Sequence, residues 1–141
     1  MSPRSDPFAA PDEPTRRREA RQRSVELLYE AEMKSCELAD VLAEQVAELD
    51  PFALELANGV AARRDELTAR LAGLLAEGWT PQRLGICDRL IMLQGLFELE
   101  RGDAPAAVVL NEAIELAHRL GATDRSGALT NGVLAAALDG R

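Results

Sequence analysis

A chain of 141 residues with 47% hydrophobic and only 4% aromatic residues has the length of one globular domain, whose core must consist mainly of aliphatic side chains. The net charge of −8 argues against nucleic-acid binding over the whole surface, and two cysteines and one histidine are too few for a disulfide framework or a zinc site. No apolar run is long enough to span a membrane and the N-terminus lacks the apolar stretch of a signal peptide, so we expect a cytoplasmic protein.

The N-terminal segment is predicted to be a disordered arm. Residues 1–14 contain four prolines, which interrupt any helix, and few residues that could be buried. From Thr15 to about Ser35, apolar residues recur at helical spacing and Thr15 can cap the helix. Residues 15–141 are therefore expected to form the folded domain.

Charge is distributed unevenly between the first helix and the rest of the chain. Residues 15–23 hold five arginines and one glutamate, whereas residues 24–141 hold ten basic and twenty acidic groups. Positive charge in the first turns of a helix opposes the helix dipole, which suggests that these arginines serve another purpose. The arginine run is the candidate for contact with an anionic partner.

Six further helices are predicted after the first. Each begins at a capping residue or a proline, or carries apolar residues at helical spacing, and no segment alternates with the period of a strand. The helix over residues 86–99 is apolar on almost every face and is expected at the centre of the fold. The predicted ranges are residues 38–49, 51–78, 80–84, 86–99, 103–120 and 125–138.

Four segments together resemble the bacterial NusB family. Asn-Glu-Ala-Ile-Glu-Leu-Ala within residues 108–118 and Asn-Gly-Val-Leu within residues 129–134 resemble the two signature motifs of that family, in the same order. Upstream, residues 88–99 resemble its central helix, and residues 16–29 resemble its arginine-rich opening. The resemblance covers about residues 15–138.

The resemblance implies an all-α fold of about seven helices in two small packed bundles. It also implies a function in transcription antitermination. A protein of this family binds boxA RNA in ribosomal RNA operon leaders together with NusE, a small-subunit ribosomal protein. With other Nus factors it helps the RNA polymerase elongation complex to resist termination. No cofactor is expected.

A set of RNA-binding residues also follows from the resemblance, and the residue types suit the task. Clustered guanidinium groups bind phosphates, and an aromatic ring can stack on an exposed base. Two positions depart from the family, because Leu129 replaces a phenylalanine and Arg125 precedes Ser126 where the family tends to have an aspartate. The alternatives are a solvated face for the arginines and core packing for Tyr29. The candidate residues are Arg16, Arg17, Arg18, Arg21, Tyr29, Arg125 and Leu129.

The protein partner is expected near the short helix that follows Trp79. The resemblance points to Gln82 and Asp88, and the alternative is a plain solvated helix face. Two signature asparagines, Asn111 and Asn131, are assigned to structure, since a half-buried asparagine that bonds a neighbouring helix explains them. A homodimer that covers the arginine helix is a further hypothesis.

No catalytic residue or metal ligand set is predicted. His118 is the sole imidazole and lies in an ordinary helix, and no nucleophile or phosphate-loop motif occurs. The chain is therefore not expected to be an enzyme. Two other functions stay open. One is a protein of this fold that keeps its protein partner without boxA specificity. The other is an RNA-recruitment module like that of ribosomal RNA methyltransferases, which the chain end at Arg141 disfavours.

Overall fold

The computed structural model describes residues 12–140, which form seven α-helices and one short 3₁₀ turn, with no strand in this range. The all-α prediction is therefore confirmed. No helix in the described range is both long and apolar enough to cross a membrane. The helices are α1 (Glu13–Lys34), α2 (Leu38–Ala43), α3 (Pro51–Ala62), α4 (Arg64–Leu74), α5 (Ile86–Arg101), α6 (Ala106–Leu120) and α7 (Ser126–Asp139), with the 3₁₀ turn at Pro81–Arg83.

The helices form two small packed bundles, as the resemblance implied, and α5 contacts the helices of both. Helix α1 packs against α2 and α3, while α6 and α7 pack against each other, and α5 contacts α1 and α3 on one side and α4, α6 and α7 on the other. Every residue from 90 to 99 is buried, as the apolar residues around this helix predicted. A single apolar core therefore runs through both bundles.

Helix α1 begins two residues earlier than predicted, and Asp12 rather than Thr15 is its N-cap. The Asp12 carboxylate accepts a hydrogen bond from the Thr15 backbone N–H at 2.9 Å. Pro14 is helical because a proline in the first turn gives up no helical hydrogen bond. The predicted disordered arm otherwise falls on residues 1–11, which lie outside the described residues.

Helix α2 ends at Ala43, six residues before its predicted end. The Gln45 side chain donates a hydrogen bond to the Val41 carbonyl at 3.0 Å and accepts one from Arg23 at 2.6 Å. These two hydrogen bonds of the Gln45 amide fix the position of the chain after the last turn of α2. Val46, an apolar residue within the predicted helix over residues 38–49, is fully exposed.

The long third helix of the prediction is divided at Arg63 into α3 and α4. Arg63 has φ −112° and ψ 24°, outside the helical region, although neither glycine nor proline stands there. Helix α3 packs on α1, whereas α4 packs on α7, so one straight helix could not serve both bundles. Tertiary packing thus overrides a continuous local pattern.

The Gln94-Gly95 pair, unfavourable for a helix by itself, has a packing reason in α5. A Cβ at Gly95 would lie 2.7 Å from a methyl group of the buried Leu134, so glycine allows α5 and α7 to approach closely. The Gln94 side chain donates a hydrogen bond to the Arg21 carbonyl at 3.1 Å and joins α5 to α1. Both residues therefore hold neighbouring helices against the centre.

Candidate nucleic-acid interface

Three consecutive arginines lie in the first two turns of α1 and point in different directions, because successive helical residues are about 100° apart around the axis. Arg16 reaches Asp50 at the start of α3 at 2.9 Å and also pairs with Glu13. Arg18 points towards the other bundle and makes two hydrogen bonds to the Glu112 carboxylate of α6, at 2.9 and 3.0 Å. The opening turns of α1 thus span the junction between α3 and α6.

Arg17 lies between these two arginines and covers an aromatic ring. Its guanidinium carbon is 4.4 Å from the centroid of Phe52, and its Nε bonds Glu13 at 3.1 Å. The side chains of Arg16, Arg17 and Arg18 remain 40–50% exposed. Each can therefore reach solvent while its stem stays packed.

Arg21 is not part of this exposed group, in contrast to the prediction from resemblance. It is 3% exposed, and its Nε and Nη2 bond both carboxylate oxygens of Glu98 on α5 at 2.9–3.1 Å. One turn beyond Arg17, this position faces α5 rather than solvent. Arg21 borders the cleft between α1 and α6, but its guanidinium is occupied by Glu98 in this conformation.

The exposed arginines carry carboxylate partners, which sets the electrostatics of the surface. The hydrogen bond from Arg18 lowers the pKa of Glu112 below its ordinary value, so this carboxylate is ionised at neutral pH. Arg17 and Glu112 also line a cleft of about 410 Å³ between the start of α1 and the start of α6. A phosphate arriving here has to share or replace a carboxylate.

Tyr29 and Leu129 are exposed but lie apart from the arginine run. Tyr29 is 39% exposed, which removes the core-packing alternative. It stands eleven residues after Arg18, roughly 16 Å further along α1. Leu129 lies on α7 and lines a groove with Trp79 at the end of α4. The predicted RNA-binding residues therefore occupy separate places on the surface.

The groove around Trp79 was not predicted from the sequence, where this residue marked only a helix boundary. Trp79 is 49% exposed, and the Arg83 guanidinium lies 5.3 Å from its ring centroid. Arg125 stands one helical turn before Leu129, whose N–H bonds the Arg125 carbonyl at 3.0 Å. An aromatic ring and apolar side chains thus line the groove, while Arg83 stands beside Trp79 and Arg125 one turn from Leu129 without lining it.

Three arginines in residues 12–140 form no ion pair with a described carboxylate. Arg83 donates to the Gly78 carbonyl, and Arg119 donates to the Gln22 side chain of α1 at 3.0 Å. The Arg125 side chain has no hydrogen-bond partner among the described residues. No local pattern distinguishes these three from the paired arginines, because pairing depends on residues distant in the sequence.

The two residues predicted for the protein partner differ in accessibility. Gln82 is exposed in the 3₁₀ turn. Asp88 is 5% exposed, and its carboxylate accepts a hydrogen bond from the Ala122 N–H at 3.3 Å. The prediction of a surface contact at Asp88 is therefore corrected, because this side chain fastens the α6–α7 loop to the start of α5.

The signature asparagines do not have the half-buried positions expected for them. Asn111 and Asn131 are both exposed, whereas Glu112 beside the first one bonds Arg18. His118, the only imidazole, packs over Gly127 of α7, where a Cβ would collide with its ring. No group of three or more potential metal ligands occurs in the described range.

The comparisons with known proteins agree on one protein family. The NusB family model matches residues 18–139. The transcription antitermination protein NusB of Acidothermus cellulolyticus is 39% identical over 125 residues, which are 85% of each chain. The structure of T. maritima NusB is 30% identical, with a TM-score of 0.74, and covers 84% of this chain and 87% of its own.

A complex of the antitermination factors NusB and NusE with double-stranded RNA contains a chain of the same fold. That chain has a TM-score of 0.77 and covers 90% of this protein and 98% of its own length. At 19% identity it supports the fold alone. The family model, the curated relative and the shared helical bundles agree, and the chain belongs to the NusB family.

Proposed function

We propose that this protein is a transcription antitermination factor that binds boxA-type RNA in ribosomal RNA operon leaders together with NusE. With other Nus factors it helps the RNA polymerase elongation complex to resist termination. The observation that carries the proposal is the half-exposed arginine face of Arg16, Arg17 and Arg18 on a fold of the NusB family. A curated relative, 85% of whose length this chain covers, is described as a transcription antitermination protein.

When RNA binds at this face, its phosphates replace carboxylates as partners of the arginines. Arg17 and Arg18 release Glu13 and Glu112 in part and take phosphate oxygens in their place, while Phe52 holds the Arg17 guanidinium at the surface. Guanidinium groups suit this exchange because they bind carboxylate and phosphate in the same forked geometry. The remaining proposed contacts are Arg16, Tyr29, Arg125 and Leu129, and Gln82 is proposed for the protein partner.

The same proposal accounts for the rest of the molecule. Residues 15–141 form one RNA-binding unit, and Arg21 and Asp88 hold its helices in place. The protein works by binding and recruitment rather than by catalysis, without a cofactor, and acts in the cytoplasm where transcription takes place. Coverage of 85% of a curated antitermination protein favours this function over a module of a larger methyltransferase.

The proposal is tested by RNA binding at two or more salt concentrations. We expect boxA RNA to bind more tightly than a scrambled RNA of the same composition, and NusE to strengthen the binding. Four phosphate contacts to a single strand, from Arg16, Arg17, Arg18 and Arg125, predict a log–log salt slope of about −3. Joint replacement of Arg16, Arg17 and Arg18 by alanine removes most of that slope.

The matched control replaces Arg63, Arg64 and Arg70 by alanine, which causes the same change in net charge at arginines that are also paired with carboxylates. This variant is expected to keep its boxA affinity. Equal loss in both variants would mean that only the net charge matters and would refute the proposed face. Equal binding of both RNAs together with tight NusE binding would instead support a family member without boxA specificity. The replacement of a phenylalanine of the family by Leu129 favours that alternative.

A further inference from the structure

Trp79 is the one tryptophan of the chain, and its indole ring is half exposed after the turn at Gly78. Large aromatic side chains are usually buried in a core, so this position calls for a reason. We propose that Trp79 stacks on an unpaired base of the RNA, with Leu129 as the apolar floor beside it. The inference rests on the proposed function, because it adds a base contact to the phosphate contacts of α1.

The groove has the size and the apolar lining that a base ring requires. It measures about 280 Å³ and is formed by the end of α4, Trp79 and one face of α7. Its lining residues are all uncharged and include Trp79, whose indole ring is the stacking surface of the proposal. Bases of single-stranded RNA bind proteins in this way, because every base has an apolar face to stack.

The charges around the groove fit a polyanion. The Arg83 guanidinium lies 5.3 Å from the Trp79 ring centroid, and Arg125 stands one turn from Leu129 on α7. Neither arginine pairs with a described carboxylate, unlike those that open α1. Glu77 is close to Trp79 in sequence and Asp124 precedes Arg125; like the two arginines, these acids do not line the groove. A phosphate at either side of the stacked base therefore displaces no carboxylate.

Arg119 provides a path between the two sites. It lies in the last turn of α6 and donates to Gln22 on α1. It forms no ion pair with a described carboxylate, but its charge acts on Glu112, as the charge of Arg18 does. The α6–α7 loop that follows leads to Arg125. A single strand that begins on Arg18 can follow Arg119 and Arg125 to the groove.

Gly132 leaves space in the groove but lowers the stability of helix α7. It stands in the middle of this helix, where glycine is less stable than alanine by about 1 kcal/mol. A Cβ there would meet no atom within 4 Å, so packing does not require glycine. The bare backbone instead leaves room for a ligand against α7.

The inference is tested with the full chain by following two signals during one titration with single-stranded boxA RNA. Anisotropy of labelled RNA measures total binding, and fluorescence of the single tryptophan measures contact at the groove. We expect the Trp79 emission to be quenched in parallel with binding. Trp79→Ala is expected to weaken binding on the order of tenfold, while Trp79→Phe keeps most of the affinity because it keeps a stacking surface.

A second pair of variants fills the groove without removing the aromatic ring. Gly132→Leu places a side chain in the groove and is expected to weaken RNA binding and to abolish the quenching. Gly73→Leu is the matched control, because a Cβ at Gly73 also meets no atom within 4 Å and this residue does not line the groove. It is expected to bind RNA normally.

The outcomes separate this inference from the proposed function. RNA binding that depends on the α1 arginines, with unchanged Trp79 emission and normal affinity of Trp79→Ala, would overturn the stacking site alone. Absence of RNA binding in every variant would overturn both. A change of emission on addition of NusE, with no further change when RNA is added, would assign Trp79 to the protein interface and overturn the inference as well.

Discussion

Arginines only a few positions apart in α1 have different roles because their burial differs. Arg18 holds Glu112 with half of its side chain in solvent, whereas Arg21 holds Glu98 with almost none. An exposed pair is screened by water and contributes little to stability. A buried pair is costly to break, because the remaining charge is left without a partner in a low-dielectric interior. The first pair can open for a ligand, and the second belongs to the core.

Replacement of one member of the buried pair is expected to destabilise the protein strongly. Arg21→Ala leaves the buried Glu98 carboxyl group without its partner, and we expect a loss of about 3–5 kcal/mol in the free energy of unfolding measured in urea. The double variant Arg21→Met/Glu98→Leu removes both charges and should recover most of this loss. Arg18→Ala should cost much less.

The same double variant distinguishes structure from RNA binding at Arg21. It is expected to bind boxA RNA as tightly as the natural chain, since the buried guanidinium contacts no ligand in the proposed interface. A folded double variant with clearly weaker RNA binding would show that Arg21 leaves its pair and reaches the RNA.

Glu112 is expected to compete with RNA for Arg18. Glu112→Gln removes this competitor and a negative charge beside the phosphate path, so we expect RNA to bind several-fold more tightly at low salt. The difference should shrink as salt rises. The control is Glu66→Gln, which causes the same change in net charge at an exposed carboxylate of α4 that pairs with Arg63. Equal or weaker binding of the Glu112 variant would contradict this competition.

The stability contribution of this pair depends on pH in a defined direction. The Arg18 hydrogen bond lowers the pKa of Glu112 in the folded state, so the unfolded chain takes up this proton first as pH falls. The contribution is fully present above the ordinary glutamate value of 4.5 and is lost as pH drops through the lowered pKa. Unfolding curves of the natural chain and Glu112→Gln should therefore converge in acid.

At the level of the elements, glycines determine how closely helices approach α5. A Cβ at Gly59 of α3 would collide with the Phe97 ring, and one at Gly95 would press on Leu134 of α7. Two helices therefore reach the central helix through positions without a side chain. Local propensity counts against these glycines, and only the neighbouring helix explains them.

Alanine at two helical glycines is expected to act in opposite directions. Gly59→Ala should destabilise the protein by roughly 1–3 kcal/mol, because the buried Phe97 ring has to move. Gly73→Ala meets no neighbour and should stabilise by up to about 1 kcal/mol through helix propensity. Urea unfolding of both variants measures the difference, and equal effects would contradict close packing at Gly59.

On the scale of the whole molecule, α5 makes one unit of two bundles. It contributes buried residues to both, and the core that it joins is continuous. A chain whose bundles share their central helix cannot unfold one of them without exposing the core of the other. The arrangement holds the arginine face of α1 in a fixed position relative to α6 and α7.

The shared helix predicts a single unfolding transition. Tyr29 lies in α1, and Trp79 lies beside α4 and α7, so their fluorescence reports on different bundles. We expect both signals and the helical circular dichroism to change at the same urea concentration. Two separated midpoints would show that the bundles unfold independently.

Local patterns in the sequence were sufficient for the fold class, the family and the arginine run. Helical spacing and prolines reflect contacts within one turn, and the motifs at residues 108–118 and 129–134 are read directly along the chain. Boundaries were wrong where side chains or distant helices intervene, as at Gln45 and Arg63. Both errors arise because propensity is weaker than packing.

The tertiary structure alone decided which of the candidate residues are available to a ligand. Arg21 and its partner Glu98 are 77 positions apart, and the Trp79–Leu129 groove joins the end of α4 to α7. The distances that decide burial and pairing arise when helices pack, so spacing within a helix does not contain them. For this reason the sequence identified an arginine-rich protein of the NusB family, and the packed helices determined which arginines and which aromatic ring face solvent.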